Sequence, residues 1–241
     1  MALTALIRIY KVTRLNPEGA MVSKDVLVTL TGQILTEIEF MVGDNEDVTI
    51  THSQVAELYA TTFFLRGSDE IKNLIDFAEL DALVWNMTGD MKAKDIFSIL
   101  EVHMPGSIQN MGEKFALPLE TLKVQQAAID WLSEHFNMLM PEEVILSLKL
   151  TNGSVFAKPT MHYLTSQLNQ MEVQEAAKVF FALTQKKNAL ALTTPDGKPD
   201  LVVHQFLAYM GSYFRINLER FDDKSIAFVL SLMANSPPVP A

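Results

Sequence analysis

The hydrophobic pattern changes its period near residue 50, and this shift is the main organisational signal along the chain. Residues 25–50, DVLVTLTGQILTEIEFMVGDNEDVTI, hold short β-branched stretches broken at Thr31-Gly32 and at Gly43-Asp44-Asn45. Partial alternation between such turn signals is the pattern of a small antiparallel meander. Within it Thr36, Ile38 and Phe40 share one face and Glu37 and Glu39 the other, since successive strand side chains point to opposite sides. Leu3 to Val12 also alternates, with Ile7, Ile9 and Lys11 set against Arg8 and Tyr10, and reads as a further strand.

From Thr51 onward the period is helical. Thr51 and Gln54 have capping-box spacing, followed by Val55, Leu58, Tyr59 and Thr62, with Arg66-Gly67 as the stop. Ser68 caps a second expected helix, with Asp69 and Glu70 in its first turn and Ile71, Leu74, Ile75, Ala78 and Ala82 as its buried stripe, up to Thr88-Gly89. A third spans about Lys92 to Val102, and Pro105 to Gly112 reads as a loop. Pro118, Pro141 and Pro159 each mark a helix start, where a missing N–H costs nothing. Leu119 to Phe136 offers Leu122, Ile129, Leu132 and Phe136 as an apolar face, and Val173, Ala176, Ala177, Phe180 and Thr184 form another.

Thr193 to Pro199, TTPDGKP, is the strongest turn signal, after which Asp200 caps a helix to about Phe214. That helix is apolar on two sides: Val203, Phe206, Leu207, Met210 and Phe214 on one, Val202, Tyr209 and Tyr213 on the other. A last helix is expected over about Asp223 to Ala234, before the Pro-rich tail SPPVPA. The pattern predicts an α+β, mainly helical protein: a small N-terminal antiparallel β element over residues 1–50, then a bundle-like body of seven to eight helices over 51–241, forming one cooperative unit.

Composition narrows the function classes. Of 241 residues 49% are hydrophobic and 20% charged, which suits a packed core and excludes a disordered chain. The net charge of −10 disfavours broad binding to phosphate backbones. Cysteine is absent, so thiol catalysis, disulfides and Cys-type zinc sites are excluded. The opening MALTALIRIYKVTRL has no uninterrupted apolar core of signal-peptide length, and no run has the length and composition of a membrane span. The expected location is therefore the cytoplasm, or a virion for a coat protein, and not a secretory route.

Local chemistry is sparse. No Gly-rich phosphate loop, nucleophile elbow or metal-ligand spacing is present, so no catalytic, cofactor-binding or metal-binding residue is assigned and no cofactor is expected. Asp200 and His204, four apart on one helix face, could orient an imidazole, against the simpler reading of a cap beside a packed histidine. Glu142/Glu143 reads as the acidic first turn of a helix, Asp222/Asp223 as a helix cap, and Asp44/Glu46/Asp47 as a solvated turn. Aromatics interleave with arginine only from Tyr209 to Asp223, where Tyr213, Phe214, Arg215 and Arg220 are candidate nucleic-acid or anion contacts. The competing reading there is an internal ion pair of Arg215 or Arg220 with Asp222 or Asp223.

The two C-terminal helices carry apolar residues on more than one face, which calls for a partner. Phe206, Tyr209, Met210, Phe228 and Leu232 are the candidate assembly surface. The expected function is a non-enzymatic, self-assembling structural subunit of coat or nucleocapsid type, packing through its terminal segments as a homo-oligomer. The alternatives are a cytoplasmic adaptor that holds a different protein, and an enzyme built from scattered carboxylates and histidines.

Overall fold

A computed structural model of the chain describes residues 51–63, 66, 77–105, 108, 116–151, 155–185, 196–198, 200–221 and 226–227. Among them are eight α-helices: α1 (His52–Thr62), α2 (Phe77–Met87), α3 (Ala93–Val102), α4 (Leu119–His135), α5 (Pro141–Leu150), α6 (Ala157–Gln167), α7 (Val173–Gln185) and α8 (Leu201–Ile216). Short 3₁₀ turns follow α2, α4 and α8. The expected α+β class is corrected to a helical one, because the described residues contain no strand or sheet. The antiparallel element expected over residues 1–50 lies outside them, as does most of the helix expected over 223–234. Short β-branched runs are weak evidence for a strand, since alternation over a few residues does not separate the two periods.

The chain divides into two compact units, Met1–Trp131 and Leu132–Ala241, with the boundary inside α4. In the first unit α1 packs against α2 and α3. The Thr51 cap forms as expected: Gln54 N–H donates to Thr51 Oγ1 at 3.3 Å, and Thr51 N–H donates to Gln54 Oε1 at 2.9 Å. Val55, Leu58, Tyr59 and Phe63 are buried together with Ile96, Ile99 and Leu100 of α3 and Val84 of α2. Ser53 Oγ donates to Asp95 Oδ2 at 2.9 Å, tying the start of α1 to the first turn of α3.

Two expected faces are out of phase. On α2 Ala78 and Ala82 are exposed while Leu80, Asp81 and Val84 are buried. On α4 Leu122 is exposed, and Thr121, Val124, Ala128 and Leu132 form the interior stripe. In both cases the true face contains a polar residue whose partner is remote in sequence, so an apolar-only search shifts the phase.

In the second unit α7 packs against α5 and α6. Val173, Ala176, Ala177 and Phe180 are buried as expected, with Thr184 half-buried at the edge. Pro141 opens α5 at its first position, whereas Pro159 sits one turn into α6, which starts at Ala157. Phe136 stacks on Phe156 with ring centres 5.2 Å apart, and Tyr163 Oη donates to the Leu139 carbonyl at 2.9 Å. Phe180 of α7 meets Phe206 and Phe214 of α8 at 5.9 and 5.4 Å, and Phe214 meets Phe221 at 5.9 Å. Gly197, in the expected turn before α8, has φ +77°, a conformation that favours glycine.

Candidate functional site

Two features stand out among the described residues: a buried polar cluster in the first unit and an exposed apolar face in the second. The cluster centres on Arg66. Its Nη1 donates to Asp81 Oδ2 and Thr121 Oγ1, both at 2.9 Å, while Nη2 pairs with Asp81 Oδ1. Thr121 Oγ1 in turn donates to Asp81 Oδ2 at 2.7 Å. The guanidinium carbon lies 4.6 Å from the ring centre of Phe77 and 5.4 Å from those of Tyr59 and Phe63, so the cation sits among aromatic rings.

Beside it Tyr59 Oη lies 2.8 Å from His103 Nε2. Burial pushes the Tyr59 phenol well above its usual range, an effect Arg66 opposes and Asp81 reinforces. Burial, helped by the Arg66 charge, holds the His103 imidazole down at about 3. The two groups are thus a protonated phenol and a neutral imidazole at neutral pH, and the phenol donates. All five side chains are buried. The arrangement fixes α1, α2 and α4 to one another around a neutralised charge, with no exposed reacting group. It was not legible locally, because its members are 15 to 55 residues apart.

The Asp200–His204 pair resolves as a helix cap. Asp200 Oδ1 accepts from the N–H groups of Val202 at 3.0 Å and Val203 at 3.2 Å. Among the described residues no group of three His, Asp or Glu side chains is placed to hold a metal ion. Glu143 Oε2 accepts from the Met140 N–H at 2.8 Å, so Glu142/Glu143 is the acidic first turn expected of it. Asp222/Asp223 and Asp44/Glu46/Asp47 lie outside the described residues.

The candidate anion contacts do not form one surface. Phe214 is buried in the aromatic row, and Tyr213 is half-buried with its ring edge 5.6 Å from that of Phe214. Burial also raises the Tyr213 phenol, against a lowering effect of Arg220. Arg220 is exposed and donates from Nη1 to Asn217 Oδ1 at 3.1 Å, while its backbone carbonyl receives Gln174 Nε2 at 3.0 Å. Arg215 stands exposed on α8. A buried Phe214 offers no face for a base to stack on.

The candidate assembly residues separate in the same way. Phe206 and Met210 are buried in the chain's own core, Tyr209 is exposed, and Phe228 and Leu232 lie outside the described residues. The structure adds two residues to Tyr209. Val202 is 63% exposed, Tyr209 49% and Ile216 82%. Residues seven apart on a helix lie almost in line, so these three make one stripe about 21 Å long, interrupted by exposed Gln205 and Ser212. Leu201 and Arg215, both exposed, occupy the neighbouring row. Val202 and Tyr209 belong to the second apolar side read from the sequence. Ile216 falls beyond the expected helix end at Phe214, which is why it was missed.

A second exposed apolar group surrounds the start of α5, where Met138 and Met140 precede the helix and Leu146 lies one turn beyond exposed Glu142. In the first unit Trp85, Leu119 and Leu122 are exposed. No helix of the described residues is long and apolar enough to cross a membrane. No family model matches the chain, and no match was found among curated proteins or among solved structures.

Proposed function

We propose that this chain is a self-assembling structural subunit that associates with copies of itself through the outer face of α8. The observation that carries the reading is the stripe Val202, Tyr209 and Ile216, on a helix whose other side, Val203, Phe206, Met210 and Phe214, is buried in the second unit. A helix that is apolar on two faces has one face left to cover. The exposed row is three large apolar side chains in line, whereas scattered single ones need no explanation.

Light scattering on the purified chain tests this. The expected result is a mass that climbs above the 27.0 kDa of one chain as concentration rises, with regular particles or filaments in negative stain. Ile216→Glu, which places a charge on the most exposed member of the stripe, holds the chain at one copy with an unchanged circular dichroism spectrum. A wild-type chain that stays monomeric at every concentration and ionic strength overturns the reading.

A further inference from the structure

The inference concerns what the α8 stripe meets on the neighbouring copy, and it rests on the self-association proposed above. We infer that it meets the apolar and acidic corner at the start of α5 of the next copy, giving a head-to-tail contact between two different surfaces. The two surfaces match in chemistry. The α8 face ends in Ile216 with Arg215 on the adjoining row, and the α5 corner presents Met138 and Met140, 77% and 64% exposed, with Leu146 and exposed Glu142. Neither Arg215 nor Glu142 has an ion pair or side-chain hydrogen bond among the described residues. Each therefore brings an unsatisfied charge to the edge of an apolar patch, and the two charges are opposite.

Methionine suits the receiving side. Its unbranched thioether adapts to the shape of an incoming Ile or Tyr better than a branched chain does. α5 and α8 belong to the same unit, and α7 packs on α5 and, through Phe180, on α8. Every copy thus carries both surfaces. A contact between unlike surfaces leaves one of each free on every pair, so association continues into a ring if the rotation closes and a filament if it does not. A symmetric α8 to α8 contact would use up the stripe and stop at a dimer, and it would involve no residue of α5.

Charge reversal separates these cases. Arg215→Glu and Glu142→Arg are both surface changes, and circular dichroism confirms that each variant is folded. Each is expected to raise the concentration needed for association about tenfold, by setting like charges against each other across the contact. A chain carrying both reversals is expected to recover to near the wild-type concentration. Glu142→Arg is the informative arm, because it moves the net charge from −10 toward neutrality and would strengthen association if only general repulsion were at work.

Glu142→Arg that associates as wild type does, while Ile216→Glu stays monomeric, overturns the α5 surface and leaves the α8 face standing. Failure of the double reversal to recover, with both single variants impaired, also overturns the pairing. A wild-type chain that never associates overturns the underlying reading instead.

Discussion

Removing the carboxylate of Asp81 leaves the Arg66 cation buried among Phe77, Tyr59 and Phe63 with only the Thr121 hydroxyl to receive it. Breaking a buried pair from one side costs about 3–5 kcal/mol, because the remaining charge has no counter-charge in a poorly solvated place. Asp81→Ala is expected to lower stability by that order in denaturant unfolding, and Arg66→Met combined with Asp81→Leu to cost less than Asp81→Ala alone. A cost below about 1 kcal/mol for Asp81→Ala would place the pair at the solvent boundary rather than in the core. His103 sets a pH dependence at the same scale. Its folded pKa of about 3 lies below the ordinary 6.5, so below that pH the unfolded chain binds a proton that the folded one refuses. Stability is therefore expected to fall by about 1.4 kcal/mol for each pH unit lost between 6.5 and 5, above the main carboxylate range. His103→Gln should flatten that slope, and an unchanged slope would assign the pH dependence to another group.

Among the elements, ends were more legible than faces. A cap is a local exchange of hydrogen bonds over three residues, so Thr51 with Gln54 and Asp200 with Val202 and Val203 could be read from adjacent letters. Thr51→Ala is expected to cost about 1 kcal/mol, measured as a shift of the unfolding midpoint, and a loss under a few tenths would show the cap to be redundant. The faces of α2 and α4 depended instead on Asp81 and Thr121, polar residues whose burial follows from Arg66, 15 and 55 positions away. Nothing in a helical window carries that information. α7 read correctly because its interior is Val, Ala and Phe, with no buried charge to displace the phase. For α8 the inner side was legible, but treating the apolar residues as one candidate surface merged core residues Phe206 and Met210 with exposed Tyr209. Exposure, which only the packed unit defines, drew the line between them.

For the molecule as a whole the balance of charges decides the conditions under which copies meet. Two chains of net charge −10 repel by about 10 kcal/mol at a separation of about 40 Å in unscreened water, and a Debye length of about 8 Å at physiological ionic strength removes most of that. One exposed ion pair contributes at most about 1 kcal/mol. Association is thus expected to strengthen as salt rises from about 10 mM to about 150 mM, measured by sedimentation at fixed protein concentration. Dissociation over that range would indicate a contact built mainly from charges. The same acidic balance, with Phe214 buried, leaves Arg215 and Arg220 as isolated cations rather than a groove for a phosphate backbone. The most direct test of the account is light scattering on the wild-type chain and Ile216→Glu, side by side at 150 mM salt over a wide range of concentrations. The account predicts a rising mass for the wild type and a constant 27.0 kDa for a folded Ile216→Glu. Equal masses for the two chains at every concentration would contradict it.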